Sequence, residues 1–291
     1  MNVWSFSLDL LSSAVTYALL ALAVVLAWRT SRVLMFCVGE IGMTSAYVMN
    51  GIARAAGGGV WGFALGVAGA LVVAALIGWL LFALLRQLSA AGDYFVGTVV
   101  TIAVSIFLTG LMSSVWSGET VQLPLPHPML AWGGVTFSAV SACIVVIGAA
   151  LIGVLLFAFY QSRAGIELQA VAGNWTLAVL SGIPAARWFA AVWIVASMLS
   201  AVGGIFSGVI SAVSISGAAV GFSGIVAAIM GGLTSPAGAL AGAFALALGE
   251  NLTSLWFDAR YSVAVPVVLL VLLLALRPAG LSGRVEHISR S

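Results

Sequence analysis

Lysine is absent from these 291 residues; all ten basic side chains are arginines. Charged residues of both signs make up 6 % of the chain, against about 25 % in a soluble domain. Hydrophobic residues make up 63 %. So few charges cannot wet a surface all round, which excludes an ordinary water-soluble domain and makes lipid the main solvent. A net charge of +2 says little about nucleic acid. The useful signal is where the arginines stand. Cysteine is scarce as well. Cys37 and Cys143 lie inside apolar runs without a CxxC neighbour, and both read as small buried core residues. His127 and His287 have no partner at metal-ligand spacing, and there is no Ser/His/Asp set, Cys/His cluster or Walker glycine loop. No catalytic residue and no metal site is expected, and the chain has no means of hydrolysing ATP by itself.

What is present is apolar sequence in lengths that match a bilayer. A helix needs about 20 apolar residues to span the hydrocarbon. Candidate spans fall near 10–28, 33–50, 60–85, 94–116, 135–160, 188–209, 215–232, 238–257 and 261–276. The seventh is short and rich in glycine, which predicts a re-entrant or broken helix. The first lacks a basic leader and a small-residue cleavage site, so it reads as a retained span and not a signal peptide. Alternating strands of barrel length are missing, and an open sheet would leave backbone groups unpaired in lipid. The expectation is an all-α integral membrane protein of about eight or nine transmembrane or re-entrant helices, in one membrane domain over residues 1–291.

Arginine placement predicts the orientation. Arg29, Arg32, Arg86, Arg163, Arg187, Arg277, Arg284 and Arg290 fall on one side of the spans, while Arg54 and Arg260 share the other with Glu119 and Asp258. Eight arginines against two put the first set in the cytoplasm. The N-terminus is then outside and the C-terminus inside. Residues 162–187 form a cytoplasmic loop, and the loop at about 117–134, with its Pro-rich "QLPLPHP", is external. An internal echo accompanies this topology. "VGEIGMTSAYVMNG" at 38–51 aligns with "VGFSGIVAAIMGGL" at 220–233, pairing Val38 with Val220, Gly39 with Gly221, Gly42 with Gly224 and Ala46 with Ala228. The two copies run in opposite directions, as inverted repeats in transport proteins do.

Glu40 and Glu250 are acids inside apolar spans, where a charge costs on the order of 2.5–3.5 kcal/mol even on the lenient insertion scale. They either line a solute path or brace a helix contact. The glycines at 57–59 and 203–204, and those in "SGAAVGFSG" and "GGLTSPAGALAG", allow close helix approach or broken helices. "GGLTSPAG" reads as a tight turn between spans seven and eight. The segment "SRAGIELQAVAGNWTLAVLSGIPAARW", 162–188, is the longest stretch ill-suited to lipid. It predicts a short helix whose apolar positions 168, 171, 177 and 180 share one face, followed by a Gly-Ile-Pro bend. An exposed apolar face there asks for a protein partner; the other reading is a helix lying along the membrane surface.

This segment resembles the cytoplasmic coupling segment of permease subunits of branched-chain amino-acid type ABC importers, the LivH/LivM family. Other parts are similar in the same order: the opening "YALLALAVVLAWRTSRVLMFCVGEIGMTSAYV", the span "VGTVVTIAVSIFLTGL" with Thr101, the turn "GGLTSPAGALAGAFALALGEN" and the close "RPAGLSG". The chain departs from the family pattern at Gln169, at Gly173-Asn174-Trp175 and at Met35-Phe36-Cys37-Val38. The resemblance implies a cell-membrane importer subunit for a small polar solute. Branched-chain amino acids come first, with amides, urea or aromatic acids as alternatives. It implies coupling to an ATPase through Arg163, Gly165, Glu167, Leu168, Ala170, Leu177 and Gly182, and a pathway or helix-bracing role for Gly39, Glu40, Thr101, Gly221, Gly224 and Glu250. Partners would be a second permease, two cytoplasmic ATP-binding subunits carrying ATP and Mg, and an external solute-binding protein. No cofactor is expected in this chain. Two other classes fit the residues: an ion-coupled secondary transporter using Glu40 and Glu250, and a non-transporting membrane scaffold.

Overall fold

The computed structural model describes residues 3–88, 94–123, 129–132 and 135–276. The helices are α1 (Val3–Ser31), α2 (Val38–Ala55), α3 (Gly59–Leu88), α4 (Tyr94–Trp116), α5 (Ala139–Gln161), α6 (Arg163–Gly173), α7 (Trp175–Leu180), α8 (Ala185–Ser211), α9 (Val220–Gly231), α10 (Pro236–Trp256), α11 (Ala259–Ser262) and α12 (Val265–Leu276). Each of the nine expected spans contains a helix. Five, namely α1, α3, α4, α5 and α8, are long and apolar enough to cross a membrane on length and composition. The molecule is an all-α, multi-pass membrane protein.

One short hairpin interrupts it. β1 (Met129–Trp132) pairs antiparallel with β2 (Val135–Ser138), so residues 135–138 are strand and not the start of a span. Val-Thr-Phe-Ser suits a strand, and Ser138 then caps α5 by accepting from Ser141 N–H. The Pro-rich stretch around His127, together with His287, Arg277, Arg284, Arg290 and the "RPAGLSG" close, lies outside the described residues.

α1 and α8 form the centre. From Leu19 to Val25 every residue of α1 is fully buried, because α5, α8, α9 and α10 surround it. The packing is inside-out relative to hydropathy. The most apolar window, in α5 (mean hydropathy 2.9), is 17 % buried, whereas that of α1 (2.3) is 83 % buried. Lipid accepts an apolar face as readily as the protein interior does, so burial follows close packing instead. Glycine supplies that packing: a Cβ on Gly204 of α8 would stand 2.2 Å from the carbonyl carbon of Gly42 in α2.

The sequence echo has a structural counterpart. α2 packs on α3 and α8, as α9 packs on α10 and α1; α3 lies against α8 as α10 lies against α1; α4 leans on α2 and α3 as α12 leans on α9 and α10. The two sets exchange partners as a pseudo-two-fold relation demands. The matched glycines Gly39 and Gly221 meet each other, a Cβ on Gly221 standing 2.4 Å from the Cα of Gly39. The first turns of α2 and α9 therefore abut. Irregular chain leads into each of them, residues 32–37 before α2 and residues 212–215 with a 3-10 turn (Ser216–Ala219) before α9. α9 has 12 residues, about 18 Å at 1.5 Å per residue, short of the roughly 30 Å hydrocarbon core. The seventh expected span is thus a short helix entered through a 3-10 turn, in its glycine-rich stretch.

Candidate functional site

The segment between α5 and α8 folds as two short helices. Ser162 caps α6, its Oγ accepting from Gly165 N–H at 3.0 Å. Asn174 ends α6 and caps α7, its Oδ1 accepting from Leu177 N–H at 3.0 Å. The Gly-Asn-Trp break is therefore the joint between two helices. At the α5–α6 corner only glycine fits, since a Cβ on Gly165 would stand 2.1 Å from the Phe159 carbonyl oxygen. Gln169 Nε2 donates to that same oxygen at 2.8 Å, and Trp188 Nε1 donates to Glu167 Oε2 at 2.8 Å. Val171, Ala178 and Ala185 are buried together against Ile183 and Trp188. Glu167 thus ties α6 to the start of α8, and the segment has a small core of its own. Gly182 carries φ +81° in the following bend, a left-handed conformation that glycine adopts without cost.

The expected single apolar face divides in two. Leu168 and Val171 point inward, Leu168 into a cleft with Leu26, Leu155 and Trp188. Leu177 and Leu180 point outward, 60 % and 78 % exposed, and Ile166 and Val179 are exposed as well. The Asn174 joint breaks the helical phase, so the 3.6-residue spacing does not carry across it. Arg163 and Ala170 are exposed as well.

The second residue set lies within the bundle. Glu250 of α10 accepts from Tyr17 of α1 in a short hydrogen bond and from Ser223 of α9 at 3.3 Å. One carboxylate therefore joins three helices. Glu40, half-buried in the first turn of α2, lies near Ser105 of α4. Thr101 of α4 is fully buried. Its hydroxyl lies 2.8 Å from the Leu34 carbonyl oxygen and accepts from Phe36 N–H at 3.3 Å. It satisfies backbone of the irregular 32–37 stretch where no water is at hand. Gly224 lets α9 approach α1, a Cβ there standing 2.5 Å from Leu20 Cβ. Glu250 thus sits where α1, α9 and α10 meet, while Glu40 and Thr101 share the junction of α4 with the start of α2. Tyr17, Ser223 and Ser105 carry no sequence signal that sets them apart from other hydroxyls in apolar runs. Cys37 is buried as expected, but Cys143 is exposed on the outer face of α5.

On the opposite side, Tyr47 stacks on Trp116 at 5.1 Å and donates to the Glu119 carbonyl oxygen at 2.8 Å. An isolated bridge, Val121 to Val213, ties the loop after α4 to the chain leaving α8.

The profile of the family described as "Branched-chain amino acid transport system / permease component" matches residues 6–274. The chain is 29 % identical to the high-affinity branched-chain amino acid transport system permease protein LivH of Escherichia coli, over 93 % of this chain and 92 % of that one. It is 26 % identical to the corresponding protein BraD of Pseudomonas aeruginosa, again over 93 % and 92 %. It is also 26 % identical to a probable branched-chain amino acid transport permease protein LivH of Methanocaldococcus jannaschii, over 94 % and 92 %. Among solved structures, PsaBC from Streptococcus pneumoniae in complex with Fab superposes with a TM-score of 0.51 at 13 % identity, covering 92 % of this chain and 91 % of that one. That likeness concerns the fold alone. With the profile spanning nearly its whole length, the chain belongs to the family of permease components of branched-chain amino acid transport systems.

Proposed function

We propose that this chain is one permease subunit of an ABC importer in the cell membrane, moving a branched-chain or other small amino acid by ATP-driven alternating access. It pairs with a second, homologous or identical permease. Two cytoplasmic subunits bind and hydrolyse ATP with Mg, and an external binding protein delivers the solute. This chain needs no cofactor of its own. The observation that carries the reading is the braced pair α6–α7. Its internal core makes it move as a unit, its Gly165 corner and Glu167–Trp188 link tie it to α5 and α8, and it offers Ile166, Leu177, Val179 and Leu180 to a partner. Relatives named as amino-acid permeases support the solute class. The guanidinium of Arg29 lies 4.9 Å from the Phe159 ring centroid, so the arginine-rich end of α1 shares a side with α6. That supports a cytoplasmic α6–α7, with the N-terminus outside and the C-terminus inside.

In this reading Gly39, Gly221, Gly224 and Glu250 hold the junctions between the two repeats, and Glu40 and Thr101 brace the start of α2 against α4 within the first. The hydrogen bonds around Glu250 favour bracing over carriage of a coupling proton. Co-expression with the ATP-binding subunits and purification through a tag on this chain tests the proposal. Leu180→Glu puts a charge on the docking face, where burial of an unpaired carboxylate is costly, and should lose the ATPase subunits while this chain stays folded. Undiminished co-purification with normal uptake would leave α6–α7 as a helix pair lying on the membrane surface.

A further inference from the structure

A second site lies beneath α6. A cleft of about 160 Å³, lined almost wholly by carbon, opens between α1, α5, α6 and α8. Leu26, Leu155, Phe159, Leu168, Trp188 and Val192 form its walls. An apolar cavity near 150 Å³ takes up a benzene-sized group and no water, so this cleft accommodates a stretch of hydrocarbon. Its mouth is cationic. Leu26 lies in the wall, and Arg29 follows one turn later on the same face of α1. The Arg29 guanidinium rests 4.9 Å from the centroid of Phe159, a ring that is itself part of the wall. Arg32 and Tyr160 lie near Arg29, and no ion pair joins Arg29 to a carboxylate among the described residues. Exposed Arg163 sits between Ser162 and Ala164, both of which line the cleft. The nearby acid, Glu167, is engaged by Trp188.

An apolar slot ending at an arginine with no carboxylate partner matches an amphiphile with a negative head. We propose that the cleft holds an acyl chain of an anionic phospholipid, with the lipid phosphate on Arg29. Basic pockets between membrane helices select such headgroups. The lipid would touch α6 through Leu168, and so contact the segment that protrudes from the bundle.

Photo-labelling of the full chain in lipid nanodiscs tests this, using phosphatidylglycerol or phosphatidylcholine with a diazirine in the acyl chain. Phosphatidylglycerol should label Leu155, Leu168 or Val192 several-fold more than phosphatidylcholine does. Both lipids should label Val146 and Val154 on the outer face of α5 equally. Arg29→Gln should bring the two lipids to equal cleft labelling, and Arg29→Lys should keep the difference. Ala191→Phe should empty the cleft of label and leave Val146 and Val154 labelled. Equal cleft labelling by both lipids on the unaltered chain overturns the proposal, as does a cleft without label because a neighbouring subunit fills it. The headgroup comparison on the unaltered chain decides the matter even where a variant fails to fold.

Discussion

Glu250 is held by two hydroxyls on two other helices, and its replacement separates bracing from proton coupling. Glu250→Gln keeps an oxygen for Tyr17 and an amide for Ser223, so folding and uptake should both persist. Glu250→Ala leaves the two hydroxyls unpaired in the bundle, at about 1–3 kcal/mol, and should lower the melting temperature in detergent. Loss of uptake in a stable Glu250→Gln protein would instead assign a coupling role. Gly204 makes a second residue-level case. With Gly42 backbone 2.2 Å from its would-be Cβ, Gly204→Ala must push α2 and α8 apart, and overpacking of that kind costs about 1–3 kcal/mol. Thermal unfolding in detergent reads this directly; an unchanged midpoint contradicts the contact. The burial of Glu40 and Glu250 among helices was legible in the sequence, because an acid in an apolar run stands out. Their partners were not, because serines and tyrosines in spans are ordinary.

Among elements, α6 and α7 show how far periodicity reaches. The presence and place of a short helical segment outside the long spans were legible from its polarity. The split of its apolar positions between inside and outside was not, because Asn174 resets the helical phase. That split makes opposed predictions. Leu168→Glu puts a carboxylate into the apolar cleft and should reduce the yield of folded chain. Leu180→Glu should leave folding intact and remove the partner. Size-exclusion profiles of the chain and its complex distinguish the two; equal effects contradict the inward position of Leu168. Gly182→Leu acts on the bend, where φ is +81°, a conformation a Leu side chain pays for. It should retain ATPase subunits yet separate hydrolysis from uptake, measured together in proteoliposomes. The spans behave differently again. A helix falls within each expected span, though several limits differ by four to seven residues, but which of them lie at the centre was not legible, since lipid and protein interior reward the same apolar surface.

For the whole molecule, the exchange of partners between α1–α4 and α8, α9, α10 and α12 gives the short echo at 38–51 and 220–233 a physical meaning, with Gly39 and Gly221 in contact where the sequence alignment pairs them. Orientation is checked by cysteines placed singly at exposed Glu119 and Asn174, in a background lacking Cys37 and Cys143. An impermeant thiol reagent should reach position 119 from outside, and position 174 only after permeabilisation. The reverse pattern would place α6–α7 outside and remove the ATPase from its docking face. Leucine uptake into proteoliposomes distinguishes the proposed ATP-driven importer from a carrier driven by an ion gradient. They would hold the purified complex, with binding protein outside, ATP inside and ionophores present to collapse ion gradients. Uptake should require ATP and the binding protein and be indifferent to the ionophores. Uptake by this chain alone, driven by a proton or sodium gradient and abolished by the ionophores, would contradict the proposed importer.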